Sequence, residues 1–282
     1  CGLPYILRPL GTLDPADLQK KRRLKQIYGW LWERPNLAGA AAVHFTSEQE
    51  CRISQRYGVR THDWVIPLGV DLPPVLPPPG RAREQWDLAV DQPLILFLSR
   101  IEPKKGLDLL LPALERLQAE GLTFTFALAG SNPQDPDYEA QVKRQIATSP
   151  LASQTRILGF VTGEAKFSLL QDADLFVLPS YYENFGIAVA EAMAVGTPVV
   201  ISDRVYIWES VATAEAGWVS ACEVADLAEK LRQALQSPAA RKYRGEQARQ
   251  LSRGKYSWPA ITGQTIQHYQ SIRLRLSRTY FD

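Results

Sequence analysis

Two stretches of this sequence gather the residue types that phosphate and sugar chemistry need. The first is "SRIEPKKG", Ser99–Gly106, with Arg100, Lys104 and Lys105 close together. Arginine offers a planar fork to a phosphate and lysine a compact point charge. The bland alternative is a solvated basic turn. The second is "PSYYENFGIAVAEAMAVGTPVV", Pro179–Val200, where Glu183 and Glu191 stand with seven residues between them. Glu191 sits among Ala190, Ala192, Met193 and Ala194. A carboxylate in such company needs a partner, and the diol of a ribose would serve; the alternative is a helix with one exposed glutamate. Gly186 lets a ligand approach the backbone closely.

Other residues with chemical potential are weaker. "DAD", Asp172–Asp174, matches a two-carboxylate metal pattern but enters an apolar run from its leading end, and so reads as a structural turn. His44, His62 and His268 are far apart, as are Cys1, Cys51 and Cys222. That spacing predicts neither a metal centre nor a disulfide framework, and a reducing, cytoplasmic setting is expected. "LQKKRRLKQIYGWLWERP", Leu18–Pro35, places five basic residues ahead of Tyr28, Trp30 and Trp32. Such a stretch suits the inner face of an anionic membrane or, more plainly, a solvated helix with its indoles packed inward.

The elements that position these residues follow from periodicity. After Gly80, short apolar runs at Leu94–Leu98, Phe124–Ala129, Arg156–Leu158, Leu175–Leu178, Pro198–Ile201 and Gly217–Ser220 alternate with helical stretches. The helical stretches are Gly106–Glu120, Tyr138–Thr148, Gly163–Asp172, Phe185–Val195 and Tyr206–Ala212. Apolar strands separated by helices make a parallel sheet covered on both faces, in an α/β fold. Ligands bind at the carboxyl ends of such strands, which is where Arg100, Lys105 and Glu183 fall. Helix-opening N–H groups near Gly186 and Ile187 would face the same edge.

Ahead of that domain, Ala40–Thr46 reads as a buried strand, and Ser47 with Glu50 as a capping box opening a helix. Trp64–Pro67 reads as a short strand. The proline-dense segment 73–80 reads as a linker. The expected organisation is therefore residues 1–72 as a remnant of an N-terminal, Rossmann-like domain, the linker 73–80, a complete doubly wound domain 81–252, and a terminal helix with its tail, 253–282. With 32 basic and 30 acidic side chains the net charge is +2, which argues against a nucleic-acid partner.

Together these motifs carry a resemblance. The Glu-x7-Glu pair in "ENFGIAVAEAMAVGTPVV" resembles the signature of the retaining GT-B glycosyltransferases of family GT4. "SRIEPKKG" is similar to that family's diphosphate-binding loop. "VIPLGVD" (Val65–Asp71) is similar to its domain-junction segment, with Leu68 where asparagine is usual. "RILGFV" (Arg156–Val161) is similar to the strand whose end holds the base. The resemblance implies two Rossmann-like domains, most of the first lying outside this sequence.

It also implies transfer of a hexose from a nucleotide-diphosphate sugar to a glycan or lipid-linked acceptor, with retention and without a metal or other cofactor, in surface polysaccharide or glycolipid synthesis. Residue by residue, it makes Arg100 and Lys105 the diphosphate ligands and Glu183 the contact to the donor sugar, with Phe185 beside it. Gly186 and Ile187 supply backbone N–H groups, Glu191 takes the ribose, and Phe160 and Val161 lie near the base. "YILRPLGTLDP" (Tyr5–Pro15) resembles a cleft loop in which Leu10 replaces histidine, leaving Arg8 and Gly11 as cleft candidates. Tyr256–Ile272 resembles the terminal helix that crosses back to the first domain. Three other readings share parts of this pattern: a nucleotide-sugar-binding module without transfer, a GT-B type epimerase, and a dinucleotide-handling α/β protein. The last would need a glycine-rich fingerprint after Leu94–Leu98, whereas "SRIEPKKG" has a single glycine.

Overall fold

The computed structural model describes residues 3–19 and 21–279, with side chains through Ile272. The chain divides into two compact units, Cys1–Gly69 with Lys255–Asp282, and Val70–Gly254. The division differs from the sequence expectation at 72/73, because the proline-rich stretch is stitched to the second unit. The Gly80 N–H donates to Asp172 at 2.7 Å, and the Pro77 carbonyl accepts from Gln171 at 3.1 Å.

The first unit opens with strand β1 (Ile6–Leu7), helices α1 (Pro15–Gln19) and α2 (Arg22–Tyr28), a π-helical turn (Gly29–Glu33) and α3 (Arg34–Gly39). Strand β2 (Ala42–Phe45), helix α4 (Glu48–Ile53) and strand β3 (Asp63–Val65) follow. The three strands form one parallel sheet, in the order β1-β2-β3. Alternation along β2 gives it two apolar faces. Val43 and Phe45 pack with Leu13 and Leu37, while Ala42 packs with Trp64 and Ile66.

The second unit begins with α5 (Arg81–Gln85) and builds a six-stranded parallel sheet. In chain order its elements are β4 (Leu94–Leu98), α6 (Leu107–Ala119), β5 (Thr125–Ala129), α7 (Pro136–Thr148), β6 (Thr155–Gly159), α8 (Gly163–Asp172), β7 (Leu175–Leu178), α9 (Ile187–Val195), β8 (Val199–Ser202), α10 (Trp208–Thr213) and β9 (Gly217–Ser220). The spatial order is β6-β5-β4-β7-β8-β9. The chain starts at the centre, runs outward through β5 and β6, then returns to the other side of β4 as β7. That reversal opens a crevice at the carboxyl ends of β4 and β7. Strands β4, β5, β7 and β8 are apolar and buried almost throughout, as expected for a sheet covered on both faces.

Helices α11 (Val224–Gln236) and α12 (Pro238–Leu251) complete the second unit, and α13 (Trp258–Thr279) belongs to the first. Ile261 and Ile272 of α13 pack on Trp64 and Ile66. Pro259 falls in its first turn, where a missing N–H costs no helical bond. Among the described residues, no helix is long and apolar enough to cross a membrane.

One polar detail differs from the sequence expectation, and a second bears it out. Ser47 caps α4 by accepting from the Glu50 N–H at 3.0 Å, but the Glu50 carboxylate does not return the bond. It is fully buried and accepts from the Gly11 and Thr46 N–H groups, at 2.6 and 2.7 Å, and from the Thr46 hydroxyl at 2.8 Å. A buried carboxylate is held best where several donors converge on it. In "DAD", Asp172 caps the start of α5 through the Ala82 N–H at 2.8 Å, and Asp174 takes Arg83 and the Leu94 N–H, both at 2.8 Å. Both carboxylates therefore serve the structure around β4 and β7.

Candidate functional site

At the crevice described above lies a cavity of about 430 Å³. Ser99 and Arg100 follow β4, Gly130 and Ser131 follow β5, and Phe160 and Val161 follow β6. The rest of the wall includes Lys105, Lys166, Glu183, Gly186, Ile187 and Glu191. Of the residues singled out from sequence, the cavity thus brings together Arg100, Lys105, Phe160, Val161, Glu183, Gly186, Ile187 and Glu191.

Local backbone geometry explains how the two motif loops meet. Gly106 has φ +74°, and a Cβ there would stand 2.1 Å from the Pro179 carbonyl oxygen. Only glycine allows so close an approach. The Tyr181 N–H then donates to the Lys104 carbonyl at 2.9 Å. Glu183 is held by its own backbone, donating to the Arg204 carbonyl at 3.1 Å and accepting from the Tyr206 N–H at 3.0 Å. Lys105 and Glu183 form an ion pair across the loops, with side chains 9% and 20% exposed. Arg100 is more open and reaches Glu102 at 3.2 Å.

Helix α9 is apolar on every side, and Val189–Val195 are buried throughout. Glu191 is the one charge in that run. It does have a protein partner: Lys166 of α8 donates to its Oε1 at 2.6 Å. Burial of the carboxylate is offset there by a charge-assisted hydrogen bond, so the need for a partner does not by itself require a ligand. Lys166 is the charged wall residue that sequence reasoning missed. Its signal was present in its place on the first turns of α8, just after "GFV".

The wall carries three cations, Arg100, Lys105 and Lys166, against two carboxylates, Glu183 and Glu191. Three less two leaves a formal +1. The N-terminus of α9 adds its own partial positive charge, because its first N–H groups have no partner within the helix. Gly186 is the cap residue of α9, with φ +80°. This arrangement can hold a polyanion that also presents hydroxyl groups. Phe160 is 75% exposed at the rim, and a flat aromatic ring there can stack on a planar group.

One residue expected at the donor site lies elsewhere. Phe185 is 2% exposed and outside the cavity wall; a phenyl ring at the entry to an apolar helix gains more from burial than from a wet cleft. Gly11 is buried in a turn of the first unit, with its N–H bound to Glu50, and Arg8 is exposed near β1. His44 lies inside β2 with Nε2 2.8 Å from the Ile66 carbonyl, and burial holds its imidazole below the usual value. Among the described residues, no group of three or more histidine, cysteine, aspartate or glutamate side chains is placed to hold a metal ion.

A sequence profile described as "Glycosyl transferases group 1" matches residues 80–251. The chain is 32% identical over 200 residues to a glycogen synthase of Mycobacterium tuberculosis, covering 69% of this chain and 47% of that protein. It is 32% identical over 196 residues to an alpha-D-kanosaminyltransferase of Streptomyces kanamyceticus, covering 68% and 49%. The chain therefore spans about half the length of the curated relatives it matches. Among solved structures, Anabaena Alr3699/HepE in complex with UDP and glucose is similar with a TM-score of 0.79 at 22% identity, over 95% of this chain and 72% of that one.

Proposed function

The chain belongs to the glycosyl transferases group 1 family, and from that premise we propose that its second unit binds a nucleotide-diphosphate sugar for transfer of a hexose with retention, in the manner of family GT4. The observation that carries this reading is the meeting of Arg100, Lys105, Glu183, Glu191 and the N-terminus of α9 around one cavity.

The division of labour follows from charge. Arg100 and Lys105 hold the diphosphate and stabilise the negative charge that grows on it as the sugar leaves. Preorganised stabilisation of this kind is usually the largest catalytic contribution. The N–H groups at Gly186 and Ile187 add the helix-end share. Glu183, fixed through its backbone, contacts the donor sugar. Glu191, oriented by Lys166, accepts from the ribose hydroxyls, and Phe160 with Val161 borders the base. The acceptor is a glycan or a lipid-linked sugar, placing the reaction in surface polysaccharide or glycolipid synthesis on the cytoplasmic side. Arg8 and Gly11 are the candidates on the acceptor side.

The test is incubation with labelled UDP- and GDP-sugars and glycan acceptors, with the anomeric configuration of any product read by NMR. UDP is the first nucleotide to try. A product with the donor's anomeric configuration is expected. A product of inverted configuration would refute the retaining assignment, and donor hydrolysis with inversion at C2 would favour an epimerase.

A further inference from the structure

We propose that α2 and the π turn of the first unit form a docking surface for an anionic lipid bilayer. Pro15–Gly39 holds six basic residues and two acidic ones, a formal +4, whereas the whole chain is +2. The remainder therefore sums to −2, and the positive charge is concentrated here. Lys21, Arg22 and Arg23 are exposed.

The same stretch exposes apolar bulk. Leu24, Ile27, Tyr28, Trp30, Leu31 and Trp32 are each more than half exposed. Single exposed apolar residues are ordinary, but a contiguous set beside a basic cluster marks an interaction surface. The π turn carries three large exposed residues in succession. Gly29, at its start, is seated against Tyr57, where an added Cβ would stand 2.2 Å from the ring. With the turn anchored on that side, Trp30, Leu31 and Trp32 stay outside the core. Tyr28 stacks on Trp32 at 5.4 Å, and the Arg34 guanidinium lies over Trp30 at 5.0 Å.

Two adjoining cavities on this surface differ in character. One, of about 440 Å³, is lined in part by Arg22 and Lys25. The other, of about 600 Å³, is lined in part by Ile27, Trp30 and Leu31. They share Gln26, Gln55 and Tyr57. The basic cavity suits headgroup phosphates. The apolar one suits the start of the acyl chains, with the indoles at the boundary they prefer. Charge complementarity selects an anionic surface over a neutral one. The surface is built within the first unit and does not depend on the donor cavity.

The experiment is co-sedimentation of the full chain with phosphatidylglycerol–phosphatidylcholine vesicles and with phosphatidylcholine vesicles alone. Circular dichroism checks each variant's fold. Binding is expected only with phosphatidylglycerol, weakening with salt and shifting tryptophan emission to the blue. Arg22→Gln with Arg23→Gln should weaken it about 25-fold, about fivefold per charge removed. Trp30→Ser with Leu31→Ser should weaken it about tenfold or more. Arg60→Gln, a change of the same kind at an exposed site elsewhere in the unit, should leave it unchanged. Folded protein that ignores phosphatidylglycerol would overturn the proposal, as would equal loss in Arg60→Gln. Self-association in the absence of lipid, abolished by Trp30→Ser with Leu31→Ser, would assign the surface to a second copy instead.

Discussion

Lys105 and Glu183 face the same cavity as an ion pair, so neutralising each should move diphosphate affinity in opposite directions. Glu183→Gln removes a negative charge and releases the Lys105 ammonium. A unit charge about 6 Å from another, at an effective dielectric of about 20, interacts by about 2.8 kcal/mol. Water in the cavity, which the Glu183 side chain reaches at 20% exposure, reduces this. The expected gain is about 1 kcal/mol, a nucleoside diphosphate bound about fivefold more tightly. Lys105→Met does the reverse, losing an attraction and leaving the Glu183 carboxylate without its counter-charge. A loss of about 2–3 kcal/mol is expected, 30- to 150-fold in Kd. The double variant should fall between the two, because its second change removes the charge exposed by the first. Isothermal calorimetry with UDP, GDP and ADP measures all three variants, with the nucleoside as control and urea unfolding as a check on folding. If Glu183→Gln weakens the diphosphate as much as Lys105→Met does, the assignment of opposed charges around a phosphate site is wrong.

Three further substitutions probe the supports of the fold and site, and a labelling experiment probes one thiol. Lys166→Met strips Glu191 of its partner where the carboxylate side chain is 11% exposed; urea unfolding should show a loss of about 1–3 kcal/mol, and binding of the nucleoside should weaken as well as that of the diphosphate. Gly106→Ala places a Cβ against Pro179 at φ +74°, so stability should fall by at least 1–2 kcal/mol, with donor affinity falling as the loops part. Asp172→Ala removes the cap of α5 and should cost about 1–2 kcal/mol with unchanged nucleotide binding. Burial, aided by the nearby Asp63 carboxylate, pushes the Cys51 thiol up to about 11. At pH 8.5, iodoacetamide should therefore label Cys51 more slowly in the folded chain than in the urea-unfolded one. The gap should close as pH rises through about 11, followed by mass spectrometry.

Strand positions were legible because burial on both faces leaves one kind of residue. Leu94–Leu98, Leu175–Leu178 and Gly217–Ser220 fall where the apolar runs place them. The helical stretch expected to finish at Val195 does so, and Gly196 follows it in the left-handed conformation. The carboxyl-edge placement of Arg100, Lys105 and Glu183 followed from strand direction alone.

Pairings across the fold were not legible. Nothing local in Lys166 or Glu191, 25 positions apart, says that α8 and α9 bring them together. Glu50 has the spacing of a capping residue, yet the Gly11 N–H, from a distant turn, competes for its carboxylate and wins. Phe185 shows the opposite limit: neighbours in sequence at a turn go to different sides, Glu183 to the cavity and the phenyl ring to the core. The π turn at Gly29–Glu33 was also invisible, as was the close seat of Gly29 against Tyr57, 28 positions away.

The most direct test of a donor site in the second unit is calorimetric titration of the unaltered chain with UDP, GDP, ADP and their sugar conjugates, each against its bare nucleoside. Saturable binding of one diphosphate series at a single site, much tighter than its nucleoside, is the expected result. A folded chain that binds none of them, or that binds the nucleoside as tightly as the diphosphate, would contradict the assignment of Arg100, Lys105 and the N-terminus of α9 to the phosphates.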